Sequence, residues 1–325
     1  MADSPRILVT EPIVDEVLDF LRRNFHVDVG ERCVYHEELP LAEAAENYDA
    51  LLTMLTNPVT KRVLNSGNRL KVVGNHAVGY DNVDVEAAGK LGIHVANTPG
   101  VLTDATADAT MALILSCCRP ICEAQEYLRA GNFTSWEPVG FLGMELSGKT
   151  LGIVGMGRIG QVVARRAKSF GMEIHYHKRN RLDEAVESDL EATYQANVEA
   201  LAAKSDILSL HCPLTEQTHH LVDASILNAL PNHAFLINTS RGPVVDEAAL
   251  AKALHQGKLG GAGLDVFEKE PEVHPELLTA PRTVLVPHIG SATYKTRRAM
   301  GMLAAEAITA ILKGKKAQAI PNLVV

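Results

Sequence analysis

The sequence predicts an α/β protein built from two doubly wound parallel-sheet domains, and three observations carry that expectation. Its 325 residues suffice for two domains of ordinary size. Short, continuously apolar runs recur along the chain, as in strands covered on both faces. Helical patterns separate those runs, so successive strands are joined by crossovers rather than hairpins.

The first set of runs is Arg6–Thr10 (RILVT), Tyr48–Met54, Leu70–His76 and Ile93–Asn97, with candidate helices at Ile13–Phe25, Val59–Ser66 and Val83–Leu91. Asn97-Thr98-Pro99-Gly100 is a turn signal that closes this set. Thr103 is then expected to cap a long helix reaching roughly Cys118, with Asp104 and Asp108 near its positive end. The second set is Thr150–Val154, Ile174–His177, Asp206–His211, Ala234–Asn238, Ala262–Phe267 and Thr283–Pro287. Beyond Pro287, Gly290-Ser291-Ala292-Thr293 leads into a final helix near Thr296–Lys313, expected to pack back on the first domain. No repeat of fixed period is present.

A composition of 46% hydrophobic and 22% charged residues is ordinary for a globular chain. The net charge of −8 argues against a nucleic-acid surface, which needs concentrated positive charge. Lys178-Arg179 with Arg181 is the dense basic run, and Lys313-Gly314-Lys315-Lys316 reads as a solvated helix end. The five cysteines include no CxxC pair, and the adjacent Cys117 and Cys118 read as small core residues, so a reducing, cytoplasmic setting is expected. Met1–Pro5 lacks a signal-peptide pattern, and no apolar run is long enough to span a bilayer. His211, Cys212, His219 and His220 match no zinc spacing, and no metal is expected.

The strongest single motif is Gly155-Met-Gly157-Arg158-Ile159-Gly160, a GxGxxG directly after a buried run and opening a helix. Gly155 permits the tight turn, Gly157 lets backbone approach a pyrophosphate, and Gly160 lets helix and strand pack closely. A Rossmann-type dinucleotide site is therefore expected. NAD-binding units of this kind carry an acid about 20 residues further on, where it holds the ribose 2′-hydroxyl. No acid lies between Ile174 and Leu182; the segment holds Lys178, Arg179 and Arg181, which suit a 2′-phosphate, although a solvated basic loop is the alternative. NADP is thus expected in preference to NAD.

Three segments at strand ends carry candidate chemistry: Asn238-Thr239-Ser240-Arg241-Gly242, Asp265-Val-Phe-Glu-Lys-Glu270-Pro271, and Pro287-His288-Ile289-Gly290. Ligands of doubly wound sheets bind beyond the carboxyl ends of the strands, which is where Arg241 and His288 fall. Together with Gly74–Asp84 and Gly155–Gly160, these segments resemble, in order and over essentially the whole chain, the D-isomer-specific 2-hydroxyacid dehydrogenase family. The resemblance implies a Rossmann domain (101–288) inserted into a flavodoxin-like substrate domain (1–100 and 289–325), an active site in the cleft, and a homodimer. It implies that Arg241 grips a substrate carboxylate and polarises the 2-oxo group, and that His288 is the general acid. Glu270 would be the carboxylate that supports the imidazolium. It further implies that Val78 and Gly79 offer backbone N–H groups to the substrate, and that Asp265 positions the nicotinamide end. Thr106, Arg158, Ile159, Cys212, Pro213, Thr218, Thr239 and Gly290 would complete the cofactor site. Trp136-Glu-Pro138 resembles the family's dimer-interface loop.

The segment Leu51–Thr56 is similar to that of glyoxylate and hydroxypyruvate reductases in the family, and Leu55 is expected to favour a short substrate side chain. No regulatory domain follows Val325, which points away from long phosphoglycerate dehydrogenases; His76-Ala77 stands where phosphite-oxidising members carry a lysine. A larger 2-oxo acid such as 2-ketogluconate stays open, as does a non-catalytic, dinucleotide-sensing corepressor, since fold does not fix function.

Overall fold

The structure, a computed structural model, describes residues 4–325, so Met1–Asp3 of the N-terminal stretch read above lie outside it. Apolar runs and crossovers alternate from the start: β1 (Arg6–Val9), α1 (Asp15–Arg22), β2 (His26–Val29), α2 (Glu38–Ala45), β3 (Ala50–Thr53), α3 (Lys61–Ser66), β4 (Val72–Asn75), α4 (Val85–Leu91) and β5 (His94–Ala96). Two helices follow, α5 (Thr103–Cys118) and α6 (Ile121–Arg129). Next come β6 (Thr150–Val154), α7 (Arg158–Ser169), β7 (Glu173–His177), α8 (Glu184–Leu190), β8 (Ala192–Tyr194), α9 (Val198–Ala202) and β9 (Ile207–Leu210). The chain ends with α10 (Ala224–Ala229), β10 (Phe235–Asn238), α11 (Glu247–His255), β11 (Gly261–Leu264), α12 (Pro275–Leu278), β12 (Thr283–Leu285) and α13 (Tyr294–Leu312).

These elements form two compact units, one comprising the described residues up to Leu102 with Ala292–Val325, the other Thr103–Ser291. In the first unit five parallel strands run in the order β2-β1-β3-β4-β5, the flavodoxin-like arrangement. One face buries Leu41, Val63 and Ala88 from α2, α3 and α4. The other buries Val17 and Leu21 of α1 with Ala304 and Ile308 of α13. The C-terminal helix thus packs where the sequence placed it, closely enough that a Cβ on Gly74 would lie 2.8 Å from Ile308 Cδ1.

In the second unit seven parallel strands run β12-β11-β10-β9-β6-β7-β8. Taken from β6, this is the Rossmann order with one strand added beyond the sixth, and the topological switch lies between β6 and β9. Residues of α5 and α7 (Met111, Ile114, Val163, Ala167) cover one face, and residues of α9 and α11 (Leu201, Leu250, Leu254) cover the other. Burial on both faces explains why β9, β10 and β11 read as unbroken apolar runs.

Some boundaries differ from expectation for local reasons. Thr103 is the first residue of α5 rather than its cap. Val59, expected in a helix, instead makes a parallel bridge to Val83, and Thr60 caps α3 by accepting from the Val63 N–H at 3.4 Å. Among the described residues no helix is long and apolar enough to cross a membrane.

Candidate active site

The glycine motif closes β6 and opens α7. Gly155 has φ +94°, and a Cβ there would meet backbone atoms of His211 and Cys212, at the end of β9, at 2.6–2.8 Å. The strand-to-helix turn therefore abuts the switch point so tightly that only hydrogen fits. A Cβ on Gly160 would lie 2.5 Å from the Gly155 carbonyl, which requires the close helix–strand approach. Gly157 differs: nothing lies within 4 Å of its Cβ position. That open space sits at the N-terminus of α7, whose first turn carries no acidic residue and no side-chain cap. Free N–H groups and the positive dipole end there suit a pyrophosphate. Arg158 and Ile159 are the first residues of that turn.

The far end of β7, the site of the adenosine ribose in such folds, is followed by Lys178, Arg179, Asn180 and Arg181. Lys178 is half-buried and Arg179 exposed. Arg181 is otherwise engaged: its Nε and Nη2 donate to the two Glu187 oxygens at 2.8 and 2.7 Å, and its guanidinium lies over Tyr194. Tyr176 also donates to Glu187. Arg181, one of the three basic residues expected near a 2′-phosphate, is thus ion-paired with Glu187, whereas neither Lys178 nor Arg179 forms such a pair among the described residues. Beyond β9, Thr218 Oγ1 donates to the Pro213 carbonyl at 2.7 Å and accepts from the Thr215 N–H, which tightens the loop after the buried Cys212.

Three strand ends carry the reactive groups. After β10, the Asn238 side chain wraps the turn, accepting from the Ser240 N–H and donating to the Arg241 carbonyl at 2.9 Å. Arg241 is thereby presented just past the sheet, half-buried, with Nη1 donating to the Ser240 carbonyl. Buried Thr239 shares a 2.9 Å hydroxyl hydrogen bond with Thr110, which also donates to the Thr106 carbonyl. After β11, Asp265 is 2% exposed, and its two oxygens accept from the Ile289 and Gly290 N–H groups at 2.6 and 2.7 Å. Burial pushes its carboxyl above the usual range in spite of those bonds. After β12, His288 sits at φ +53°, a left-handed conformation costing about 1 kcal/mol or more for a residue with a Cβ. The Asp265 bonds on either side of it hold it there: the His288 N–H donates to the Asp265 carbonyl at 2.9 Å.

The outcome of this bend is a carboxylate–imidazole pair. His288 Nδ1 lies 2.8 Å from Glu270 Oε2, and Glu270 Oε1 accepts from the Phe267 N–H at 3.1 Å. Glu270 is thus oriented by its own loop, and it fixes which ring nitrogen of His288 is left free. The Nε2 atom is the one available to a substrate.

In the first unit, the loop after β4 is clamped from one side. The Thr98 N–H donates to the Ala77 carbonyl at 2.9 Å, and Asn97 Nδ2 donates to the Val78 carbonyl at 2.7 Å. In a planar trans peptide the N–H points opposite the carbonyl, so the Val78 and Gly79 N–H groups are turned the other way, side by side. Asn75 and Asn82 brace the same loop: Asn75 Nδ2 donates to the Gly79 carbonyl and Asn82 Nδ2 to the Met54 and Asn57 carbonyls. The last two bonds anchor the turn that carries half-buried Leu55. Asn97 was expected only in a turn, and no part was expected of Asn75 or Asn82; asparagines at the ends of β4 and β5 and in the loop between them were the available signal.

His76, beside this loop, is 4% exposed, and burial, with the Arg297 charge second, lowers its pKa to about 4. A histidine depressed in the folded state loses stability as pH falls. The unfolded chain protonates below about 6.5, while the folded one resists until about 4. The folding free energy should hold above pH 6.5 and drop toward pH 4, with His76 contributing about 3 kcal/mol. Urea unfolding of the parent and of His76→Gln at pH 7 and pH 4.5 checks this; equal losses in both would remove His76 as the cause.

Among the described residues no group of three or more His, Cys, Asp or Glu side chains could hold a metal.

Residues 111–290 match the family described as D-isomer specific 2-hydroxyacid dehydrogenase, NAD binding domain. Over 324 residues the chain is 45% identical to a glyoxylate reductase of Thermococcus litoralis, covering 98% of this chain and 96% of that protein. A crystal structure of a Thermus thermophilus protein superposes with a TM-score of 0.91 at 41% identity, covering 98% of this chain and all of that one. An NADPH-dependent glyoxylate/hydroxypyruvate reductase of Sinorhizobium meliloti, solved with NADP and malonate, gives 0.88 at 35% identity over 99% and 97% of the two chains. A glycine turn after β6, a buried acid after β11 and a carboxylate–imidazole pair completed after β12, together with these likenesses, establish that the chain belongs to the D-isomer specific 2-hydroxyacid dehydrogenase family and is an NAD(P)-dependent oxidoreductase.

Proposed function

We propose that this chain is a cytoplasmic, NADPH-preferring reductase that converts glyoxylate or hydroxypyruvate to the corresponding D-2-hydroxy acid. The observation that supports it most is the His288–Glu270 pair at 2.8 Å, on a loop pinned by Asp265. The dinucleotide, when bound, supplies the hydride. His288 Nε2 gives its proton to the oxygen that gains charge, and the Glu270 carboxylate supports the imidazolium that does so. Arg241 offers a planar fork of donors to the substrate carboxylate and the 2-oxo oxygen. The paired N–H groups of Val78 and Gly79 are a carboxylate grip of the same sense. Relatives named as glyoxylate reductases favour the short substrates.

Steady-state rates with glyoxylate, hydroxypyruvate and 2-ketogluconate test this reading. The short acids should turn over fastest with NADPH. Binding of dinucleotide without any turnover would leave the corepressor-like alternative instead.

Cofactor choice is read from the β7 end. Lys178→Ala with Arg179→Ala should raise KM for NADPH several-fold and leave KM for NADH nearly unchanged, since charge-assisted bonds to a 2′-phosphate are lost. The effect should shrink at high salt, because both side chains are accessible to counter-ions. Equal changes with both cofactors would make the loop a solvated turn.

Leu55 is proposed to limit substrate length. Leu55→Ala should raise kcat/KM for longer 2-oxo acids relative to glyoxylate by about 10-fold, the scale of small steric changes in an apolar pocket. An unmoved ratio would show that Leu55 is not a pocket wall.

Homodimerisation is proposed through the α6 region. None of the α6 residues is buried, and Phe133, Trp136, Val139 and Leu142 are 59–79% exposed, an apolar surface of the kind that associating chains cover.

A further inference from the structure

We infer that Glu247 is a positioning residue: with Glu268 it bolts the Arg241 segment to the loop that carries Glu270, and so sets the aim of His288. This rests on the proposed reductase reading of that site. Glu247 is the first residue of α11, six positions after Arg241, and is only 5% exposed. Its Oε1 accepts from the Glu268 N–H at 2.8 Å, and Glu268 Oε1 accepts from the Glu247 N–H at 2.8 Å. The two bonds are reciprocal and join segments 21 residues apart. They lie two residues before Glu270, which in turn orients His288.

A second contact shows how little slack the joint has. A Cβ on Gly242, the residue after Arg241, would lie 1.9 Å from the carbonyl carbon and oxygen of Phe267 and 2.4 Å from the Glu268 nitrogen. The Gly242 backbone, next to Arg241, therefore rests directly on the Phe267–Glu268 peptide, and the Phe267 N–H, in the preceding peptide, is the group that holds Glu270 Oε1. Arg241 and the Glu270–His288 pair are thus registered through two adjacent peptides that meet at Phe267, and the Glu247–Glu268 bolt fixes the second of them.

Two carboxylates held this close would not be chosen for stability alone. Glu247 pays a desolvation cost that pushes its pKa up, with the Glu268 charge adding to it. His220 Nε2 lies 3.2 Å from Glu268 Oε1, and His274 lies near Glu247, so two imidazoles face the pair. An apolar contact would fill the same space without that cost, but it would not fix the direction of a peptide.

The test compares Glu247→Ala and Glu247→Gln with the parent, using glyoxylate and NADPH. Glu247→Ala removes the acceptor and should lower kcat about 10- to 100-fold, the scale of a misplacement near 1 Å. The Kd for NADPH, read by nucleotide fluorescence, should stay within about 2-fold, because the bolt does not touch the glycine turn. The solvent deuterium isotope effect on kcat should rise as proton delivery becomes slower than the other steps. Glu247→Gln keeps the oxygen acceptor and should recover most of kcat. If Glu247→Ala fails to fold, Glu268→Ala, which opens the other half of the bolt, takes its place with the same expected signature. A fall in kcat matched by an equal loss of NADPH affinity, an unchanged isotope effect, or no recovery in Glu247→Gln would each overturn the assignment. A parent enzyme that does not reduce glyoxylate would refute the functional reading instead, and the comparison of variants separates the two failures.

Discussion

His288→Ala should lower kcat by about 10²–10⁴-fold while leaving NADPH binding and the folding midpoint close to the parent's. The imidazole stands at a strand end with Nδ1 backed by a carboxylate, Glu270 at 2.8 Å. On the proposed mechanism its removal deletes proton delivery without opening the core, since the side chain is 25% exposed. Glu270→Gln should act in the same direction with a smaller effect, because the amide keeps the shape but replaces the charge-assisted hydrogen bond to His288 Nδ1 with a neutral one. Alanine at 288 would also keep the strained left-handed turn, so replacement by glycine should lower kcat equally while adding slight stability. Turnover by His288→Ala near the parent's would mean that the proton comes from elsewhere.

The parts legible in the sequence were those with a local physical cause. Continuous burial makes β6, β9, β10 and β11 mostly apolar runs, and the candidate reactive segments sit in the few residues after β10, β11 and β12. The glycines at 155, 157 and 160 each answer to a separate steric demand that a spacing rule captures. What escaped was of two kinds. Strands β2 and β8 are sheet edges with mixed burial, and three or four half-exposed residues leave no apolar run to see. The other kind is pairing across the chain. Nothing local in Arg181 shows that Glu187, on the first turn of α8, will take its charge. Nor does Glu247-Ala-Ala reveal that its carboxylate answers an N–H 21 residues away. Asp265 was expected to position the nicotinamide end; that its buried oxygens also hold the Ile289 and Gly290 N–H groups is visible only once β11 and β12 lie side by side.

Gly155→Ala and Gly157→Ala should fail in different ways, and the contrast tests whether the cradle at the β6–α7 turn holds a pyrophosphate. At Gly155 the obstacle is the protein itself. The added methyl would meet the backbone of His211 and Cys212 at 2.6–2.8 Å, and the residue would keep φ +94°. Backbone cannot swing aside as a side chain can, so β6 and β9 must separate at the switch point. Strain in the left-handed region and overpacking together should cost about 2–4 kcal/mol of stability. NADPH affinity should fall with it, because the turn can no longer present the first N–H groups of α7. At Gly157 the protein leaves room: φ is −86° and nothing lies within 4 Å of the Cβ position. Gly157→Ala should therefore melt within a degree or two of the parent, or slightly above it, since alanine narrows the unfolded ensemble. Its NADPH affinity should nevertheless drop by about 10-fold or more, equivalent to about 1.4 kcal/mol, because the space the methyl takes is the space a phosphate needs. Thermal melts and fluorescence titration with NADPH separate the two variants. If Gly157→Ala binds NADPH as the parent does, the open space at the start of α7 is not where the dinucleotide lies.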